Sequence, residues 1–225
     1  MSEFEGKTVL VTGAAGALGR AVVDHFAGEG AKIAQLDVIK LHDHFSATPD
    51  LTDADACINA VQAVSQELGS IDILANIAGG FAMGEAVHET SAETWDFLMG
   101  LNAHSVLNMA RAVVPVMLGQ GGGRIINIGA GAGQQGMAQM GAYSASKSVV
   151  IRLTEAMADE LKHQGINVNC ILPSIIDTER NRADMPDADF SAWVTPAAMA
   201  KVVAFLASEA ATPIHGAALP VSGLS

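Results

Sequence analysis

Tyr143 and Lys147 stand four residues apart in Gly141-Ala142-Tyr143-Ser144-Ala145-Ser146-Lys147-Ser148-Val149-Val150. Val150, Leu153, Met157 and Leu161 recur at helical spacing downstream, which predicts a helix and places the two side chains on one face. A phenol ordinarily titrates near 10, too high for easy proton transfer at neutral pH. An ammonium one turn away favours the phenolate and is expected to lower that value. The pair therefore reads as a proton-transfer device tuned toward working pH. An isolated Tyr-x-x-x-Lys is more often a surface tyrosine beside a solvated lysine. The surrounding elements decide the reading.

Residues 7–12 are a short β-branched run, read as a strand buried on both faces. Gly13-Ala14-Ala15-Gly16-Ala17-Leu18-Gly19 follows, then a helical pattern over residues 20–28. Strand, glycine turn and helix in that order form a dinucleotide-binding entry. Gly13 permits the turn, Gly16 admits a pyrophosphate, and Gly19 lets helix pack on sheet. Residues 31–37 form the second strand and end on Asp37, placed to accept from the adenosine ribose hydroxyls. Its charge repels the extra phosphate of NADP. Lys40 is the only nearby cation, and no basic residue interrupts the glycine turn, so NADH is expected over NADPH.

Asp50-Leu51-Thr52-Asp53 reads as a turn with Thr52 or Asp53 capping a helix to about Leu68. Residues 71–75 read as a strand running into the small-residue turn Asn76-Ile77-Ala78-Gly79-Gly80, and residues 81–89 as a loop. Ser91, with Glu93 or Thr94, opens a predicted helix to about Leu118 that contains Asn102. Residues 124–128 are the next strand, followed by the flexible Gly129-Ala130-Gly131-Ala132-Gly133. Residues 166–172 form a strand stopped by Pro173, residues 174–193 a loop, and Thr195-Pro196 a helix start. Residues 217–221 are the last strand. Strands alternating with helices predict an α/β fold: one Rossmann-type, doubly wound parallel sheet in a single domain spanning residues 1–225.

The chain has 225 residues, half of them apolar, and a formal net charge of −12. That field disfavours nucleic acid and anionic membranes as partners. No apolar run is long enough to span a bilayer. The acidic Met1-Ser2-Glu3-Phe4-Glu5-Gly6 start does not read as a secretory leader. Cys57 and Cys170 form no framework and suit a reducing cytoplasm. His42-Asp43-His44 reads as a solvated loop, and no metal site is expected. A mean hydropathy of +0.32 is rich for a monomer. A homodimer or homotetramer is expected through the helices carrying Asn102 and Tyr143, along Val106, Met109, Val113 and Met117 and along Ile151, Thr154 and Ala158.

Over essentially the whole chain these residues resemble the short-chain dehydrogenase/reductase family. Thr12-Gly13, Gly16 and Gly19 resemble its glycine-rich turn after the first strand, and Asn76-Ile77-Ala78-Gly79 resembles its Asn-Asn-Ala-Gly turn with isoleucine at the second place. The resemblance implies catalysis by Tyr143 and Lys147, with Asn102 holding a relay water. It implies NAD contacts at Gly13, Ala15, Gly16, Leu18, Gly19 and Asp37, at Asp50 and Leu51, and at Asn76, Ala78 and Gly79. Tyr143, Lys147, Pro173, Ile176 and Thr178 complete that set, with Thr178 bonding the nicotinamide amide.

One position departs. The family's catalytic serine precedes the tyrosine by thirteen residues, and Ala130 stands there. Losing one oxyanion donor typically costs about 2.7–4 kcal/mol of transition-state stabilisation. Leu172-Pro173, Asp177-Thr178, Asn181-Arg182, Met185-Pro186, Trp193 and Pro196 are similar to a branch resembling quinoid dihydropteridine reductase, which also carries alanine at that place. The resemblance implies an NADH-dependent reductase whose small-molecule substrate is a quinonoid or other conjugated acceptor. The alternatives are an ordinary ketone or alcohol served by Gln134, Gln135 or a water, and a non-catalytic dinucleotide-binding protein.

Overall fold

Thr8–Thr12 (β1), Lys32–Leu36 (β2), Phe45–Ala47 (β3), Ile73–Asn76 (β4), Gly123–Ile128 (β5), Ile166–Pro173 (β6) and Ala218–Val221 (β7) pair in parallel in the order β3-β2-β1-β4-β5-β6-β7. The computed structural model describes residues 2–224. Helices Ala17–Gly28 (α1), Ala54–Leu68 (α2), Ala92–Leu98 (α3), Ser105–Gln120 (α4), Gly141–Leu161 (α5), Glu179–Asp184 (α6) and Pro196–Ala207 (α7) cover or flank the sheet. Successive strand side chains point to opposite faces, so each strand feeds two cores. Val9, Val11, Ile73 and Ala75 pack with Val22 and Phe26 of α1 and Val203 of α7. Leu10, Leu74 and Ile125 pack with Val61 and Val64 of α2 and Met109 and Val113 of α4. Apolar side chains on both faces are what the unbroken β-branched runs require.

Thr12 lies level with both Leu36 and Asn76. From β1 the chain moves outward to β2 and β3, then returns across β1 to begin β4 on the other side. This reversal opens a crevice at the carboxyl ends of β1 and β4, where ligands of such sheets bind.

The caps fall where the sequence puts them. Asp53 accepts from the amides of Asp55 and Ala56, Ser91 from Thr94, and Thr195 from Ala198 ahead of Pro196. Several expectations are corrected. β3 is a seventh strand, too short to show alternation in sequence. α1 begins at Ala17 rather than Arg20, with Gly16 as its cap. β4 occupies Ile73–Asn76 rather than residues 71–75. The loop after β6 contains α6 and a short turn at Phe190–Ala192.

The expected helix from Ser91 is three pieces: α3, a π-helical segment Met99–His104, and α4. Ser105 N bonds Gly100 O, five residues back, which widens the coil around Asn102. The expected assembly seam is also corrected. Val106, Met109, Val113, Met117, Ile151, Thr154 and Ala158 are all buried inside their own chain. The large apolar residues left exposed on α3 and α4 are Trp95, Phe97, Leu107 and Leu118.

Candidate active site

The glycine turn closes on itself and on its neighbours. Gly13 has φ +65, and a Cβ there would sit 2.8 Å from Ala78 Cα. A Cβ on Gly19 would sit 2.0 Å from Gly13 O, so only glycine allows α1 to start this close to β1. Leu18 is buried beneath the turn, while Gly16 and Ala17 are exposed. α1 has no side-chain cap, so its first N–H groups face outward unpaired by side chains. Asp37 reaches back from the end of β2. Its Oδ2 accepts from Ala15 N at 2.9 Å and its Oδ1 from Ile39 N at 3.1 Å. The carboxylate thus holds the glycine turn to the end of β2. Lys40 is turned aside, its Nζ donating to Ser46 O.

The second turn hangs from β1. Thr12 Oγ1 accepts from both Ile77 N and Ala78 N at 3.1 Å. Asn76 donates to Asn127 Oδ1 at 2.8 Å, and Asn127 donates to Thr154 Oγ1 at 2.9 Å. This buried polar chain ties β4 and β5 to α5, the helix that carries Tyr143 and Lys147. Buried polar groups persist only when paired, and here each partner lies on a different element. The signal in sequence is a lone Asn127 inside an apolar strand.

Asn102 sits on the π-helical segment and clamps Gly80. Its Oδ1 accepts from Gly80 N at 2.8 Å, and its Nδ2 donates to Gly80 O and to Ser146 Oγ at 3.0 Å. A Cβ on Gly79 would meet Asn102 Oδ1 at 3.0 Å and Lys147 Nζ at 3.3 Å. Exposed Gly79 thus overlies the point where both polar side chains converge.

Lys147 is 5% exposed, and its Nζ donates to Ile128 O at 2.9 Å. Burial lowers its pKa to about 8, with Cys170 nearby opposing the shift. Burial drives Tyr143 the other way, up to about 12. The expected lowering of the phenol by Lys147 is therefore corrected for the protein by itself: desolvation governs it. The ring of Phe81 stands edge-on to Tyr143, with centroids 4.9 Å apart at 84°.

The remaining expected residues separate into two groups. Asp50 accepts from Thr52 N and Oγ1, and Leu51 O accepts from Asn108 Nδ2, so both are held in the turn before α2. Pro173 ends β6, Ile176 O accepts from Asn181 Nδ2, and Thr178 Oγ1 caps α6 by accepting from Asn181 N. Among the described residues the Thr178 hydroxyl proton has no acceptor. Ala130 is extended (φ −162, ψ 157) and 6% exposed.

Tyr143 lines a cleft of about 70 Å³ with Ala82, Met83, Glu85, Thr90, Thr94, Gln139, Met140, Gly141 and Ala142. Gln134 and Gln135 are exposed and outside that lining. Gln139 is the non-glycine residue with positive φ, +60, among the described residues. Its carbonyl accepts from Gly84 N at 2.8 Å, joining the two loops that wall the cleft.

The family model for short chain dehydrogenase matches residues 7–189. The chain is a short-chain dehydrogenase. D-threitol dehydrogenase of Mycolicibacterium smegmatis is 34% identical, over 98% of this chain and 93% of that one. A 3-oxoacyl-(acyl-carrier-protein) reductase of Vibrio cholerae is 32% identical, over 98% and 97%. Carveol dehydrogenase from Mycobacterium avium, solved in complex with NAD, superposes with a TM-score of 0.90 at 26% identity, over 99% and 98%.

As a short-chain dehydrogenase the protein is an NAD(P)-dependent oxidoreductase on a Rossmann-type sheet. Its own residues fit that cofactor. Gly16 N is held by Gly13 O, and the uncapped first turn of α1, at Ala17, Leu18 and Gly19, leaves backbone N–H groups for a pyrophosphate. Among the described residues, no helix is long and apolar enough to cross a membrane.

Proposed function

We propose that this short-chain dehydrogenase uses NAD(H) to interconvert an alcohol and a carbonyl in a small organic substrate. The observation that carries the reading is Tyr143, which lines the cleft one turn from the buried Lys147. Bound NAD supplies the hydride chemistry. Gly13, Ala15, Gly16, Leu18 and Gly19 would hold its pyrophosphate end, and Asp50 and Leu51 its adenine end. Asn76, Ala78, Gly79, Pro173, Ile176 and Thr178 would hold its nicotinamide end. Tyr143 gives its proton to the oxygen of the substrate carbonyl, or takes it back from the alcohol. With a pKa of about 8, Lys147 is mostly cationic at neutral pH and favours the phenolate once both groups share an enclosed site. Asn102 fixes the turn at Gly80, and the second lone pair of its Oδ1 is available to a relay water.

NADH is preferred over NADPH in this reading. Asp37 places a carboxylate at the end of β2, and the nearby Lys40 Nζ donates to Ser46 O. Free Cys57 and Cys170, both buried, suit a reducing cytoplasm. Assembly into a dimer or tetramer is supported by the exposed Trp95, Phe97, Leu107 and Leu118 on α3 and α4. Light scattering at micromolar concentration tests it, and a monomer refutes it.

A second reading is favoured by one observation, the alanine at position 130. A conjugated acceptor such as a quinonoid dihydropterin takes hydride without a carbonyl-polarising hydroxyl. The test of both readings is a panel of ketones, alcohols and a quinonoid dihydropterin, run with each cofactor in wild type and Tyr143→Phe. Turnover of simple ketones or alcohols that collapses in Tyr143→Phe supports the first. Turnover of the quinonoid substrate alone supports the second. Full activity in Tyr143→Phe defeats the proton-transfer role.

A further inference from the structure

The cleft around Tyr143 has an uneven polar inventory. Thr90 Oγ1 donates to Ala86 O, and Thr94 Oγ1 donates to Glu85 Oε1. Both hydroxyl protons are therefore committed. Glu85 accepts from Ser91 N at 3.2 Å with one oxygen and from Thr94 with the other. A carboxylate accepts about four hydrogen bonds, so two sites remain. The Gln139 side-chain amide forms no hydrogen bond among the described residues, while its strained backbone is pinned through Gly84. Strain at a non-glycine residue persists where the surroundings fix it, and it gathers at ligand sites. Among the described residues no lysine, arginine or histidine lines the cleft, and Glu85 is the charged side chain in its lining.

We infer that the cleft selects an uncharged, hydroxylated substrate, with Glu85 and Gln139 binding hydroxyl groups beyond the reacting carbon. A hydroxyl both donates and accepts. It can donate to the free sites of Glu85 and accept from the Gln139 amide. A carboxylate or phosphate at the same place meets the Glu85 charge with no cation to offset it. The apolar remainder, Met83, Met140 and Ala82, packs against carbon. This inference rests on the alcohol–carbonyl reading of Tyr143 and adds the substrate class.

The test measures kcat/KM with NADH for 2-butanone, hydroxyacetone, erythrulose and pyruvate. Hydroxyacetone and pyruvate differ by a hydroxymethyl against a carboxylate at the same position. Wild type is expected to prefer hydroxyacetone over pyruvate by about tenfold or more, and erythrulose over 2-butanone. Glu85→Gln should shrink the hydroxyacetone-to-pyruvate ratio by about tenfold, and Glu85→Asp should preserve it. Gln139→Gly keeps the positive φ and should lower the erythrulose-to-butanone ratio through KM. A residue that only pins the loop would scale all substrates together and leave both ratios unmoved. Unmoved ratios in enzymes that still reduce ketones overturn this inference alone. A wild type that reduces none of the four with either cofactor overturns the parent reading and this inference with it.

Discussion

Asn102 grips Gly80 from both sides, accepting from its N–H at 2.8 Å and donating to its C=O at 3.0 Å. The π-helical segment places this side chain against the turn after β4, and Ser146 Oγ takes its last proton. Removing the amide leaves buried polar partners unpaired, which costs about 1–3 kcal/mol per group. Asn102→Ala is expected to destabilise the protein by about 2–3 kcal/mol and to lower turnover further than folding explains. Denaturant unfolding beside kcat at a temperature where both proteins are folded checks this. Unchanged turnover would remove Asn102 from the site.

Lys147, the proposed partner of Tyr143, is held at a cost to the fold. Burial lowers its pKa from 10.5 to about 8. The folded state therefore binds fewer protons than the unfolded state between those values, and stability rises with pH across that window. Below pH 8 the ammonium cost is present in full. The shift corresponds to about 3 kcal/mol, partly offset by the bond to Ile128 O. Lys147→Met is expected to be inactive yet more stable at pH 7, by about 1–3 kcal/mol. That advantage should fade toward pH 10. A variant less stable at pH 7 contradicts it.

Tyr143 is the sole tyrosine of the chain. Phenolate absorbance therefore reports this one group. The protein by itself should titrate near 12, because burial dominates. Saturating NAD should pull the midpoint down if the loaded site brings cationic groups to bear on the phenol. A midpoint near 10 without cofactor would mean that the ring is solvated.

Asp37 holds Ala15 N, and the NADH reading gives it a second task at the cofactor ribose. Asp37→Asn keeps an acceptor for the turn and removes the charge. It should narrow the ratio of NADPH to NADH dissociation constants by about tenfold, with a smaller loss for NADH than in Asp37→Ala. Calorimetric titration of both cofactors measures this. A wild type binding NADPH more tightly ends the NADH assignment.

Ala130→Ser restores the absent hydroxyl on an extended, buried backbone. If the natural substrate is an unactivated carbonyl, ketone turnover should rise by up to about two orders of magnitude. If it is a conjugated acceptor, the added hydroxyl is unpartnered and costs about 1–3 kcal/mol on mutational scales. The ratio of ketone to quinonoid kcat/KM across the two proteins separates these outcomes.

The alternation of strands and helices, the glycine turn and the Tyr143–Lys147 spacing were legible in the sequence because each is a local pattern. Apolar runs, turn glycines and an i, i+4 pair carry their meaning within a dozen residues. Distant partners were not legible. Nothing near Thr12 announces that its hydroxyl holds Ile77 and Ala78, and nothing near Asn102 announces Gly80. The apolar face of α4 could have met another chain or its own core; packing against β4 and β5 chose the core. The phenol's shift also turned on tertiary structure. A lysine four residues away is a local fact, whereas burial sums every neighbour around the ring, and burial decided the direction.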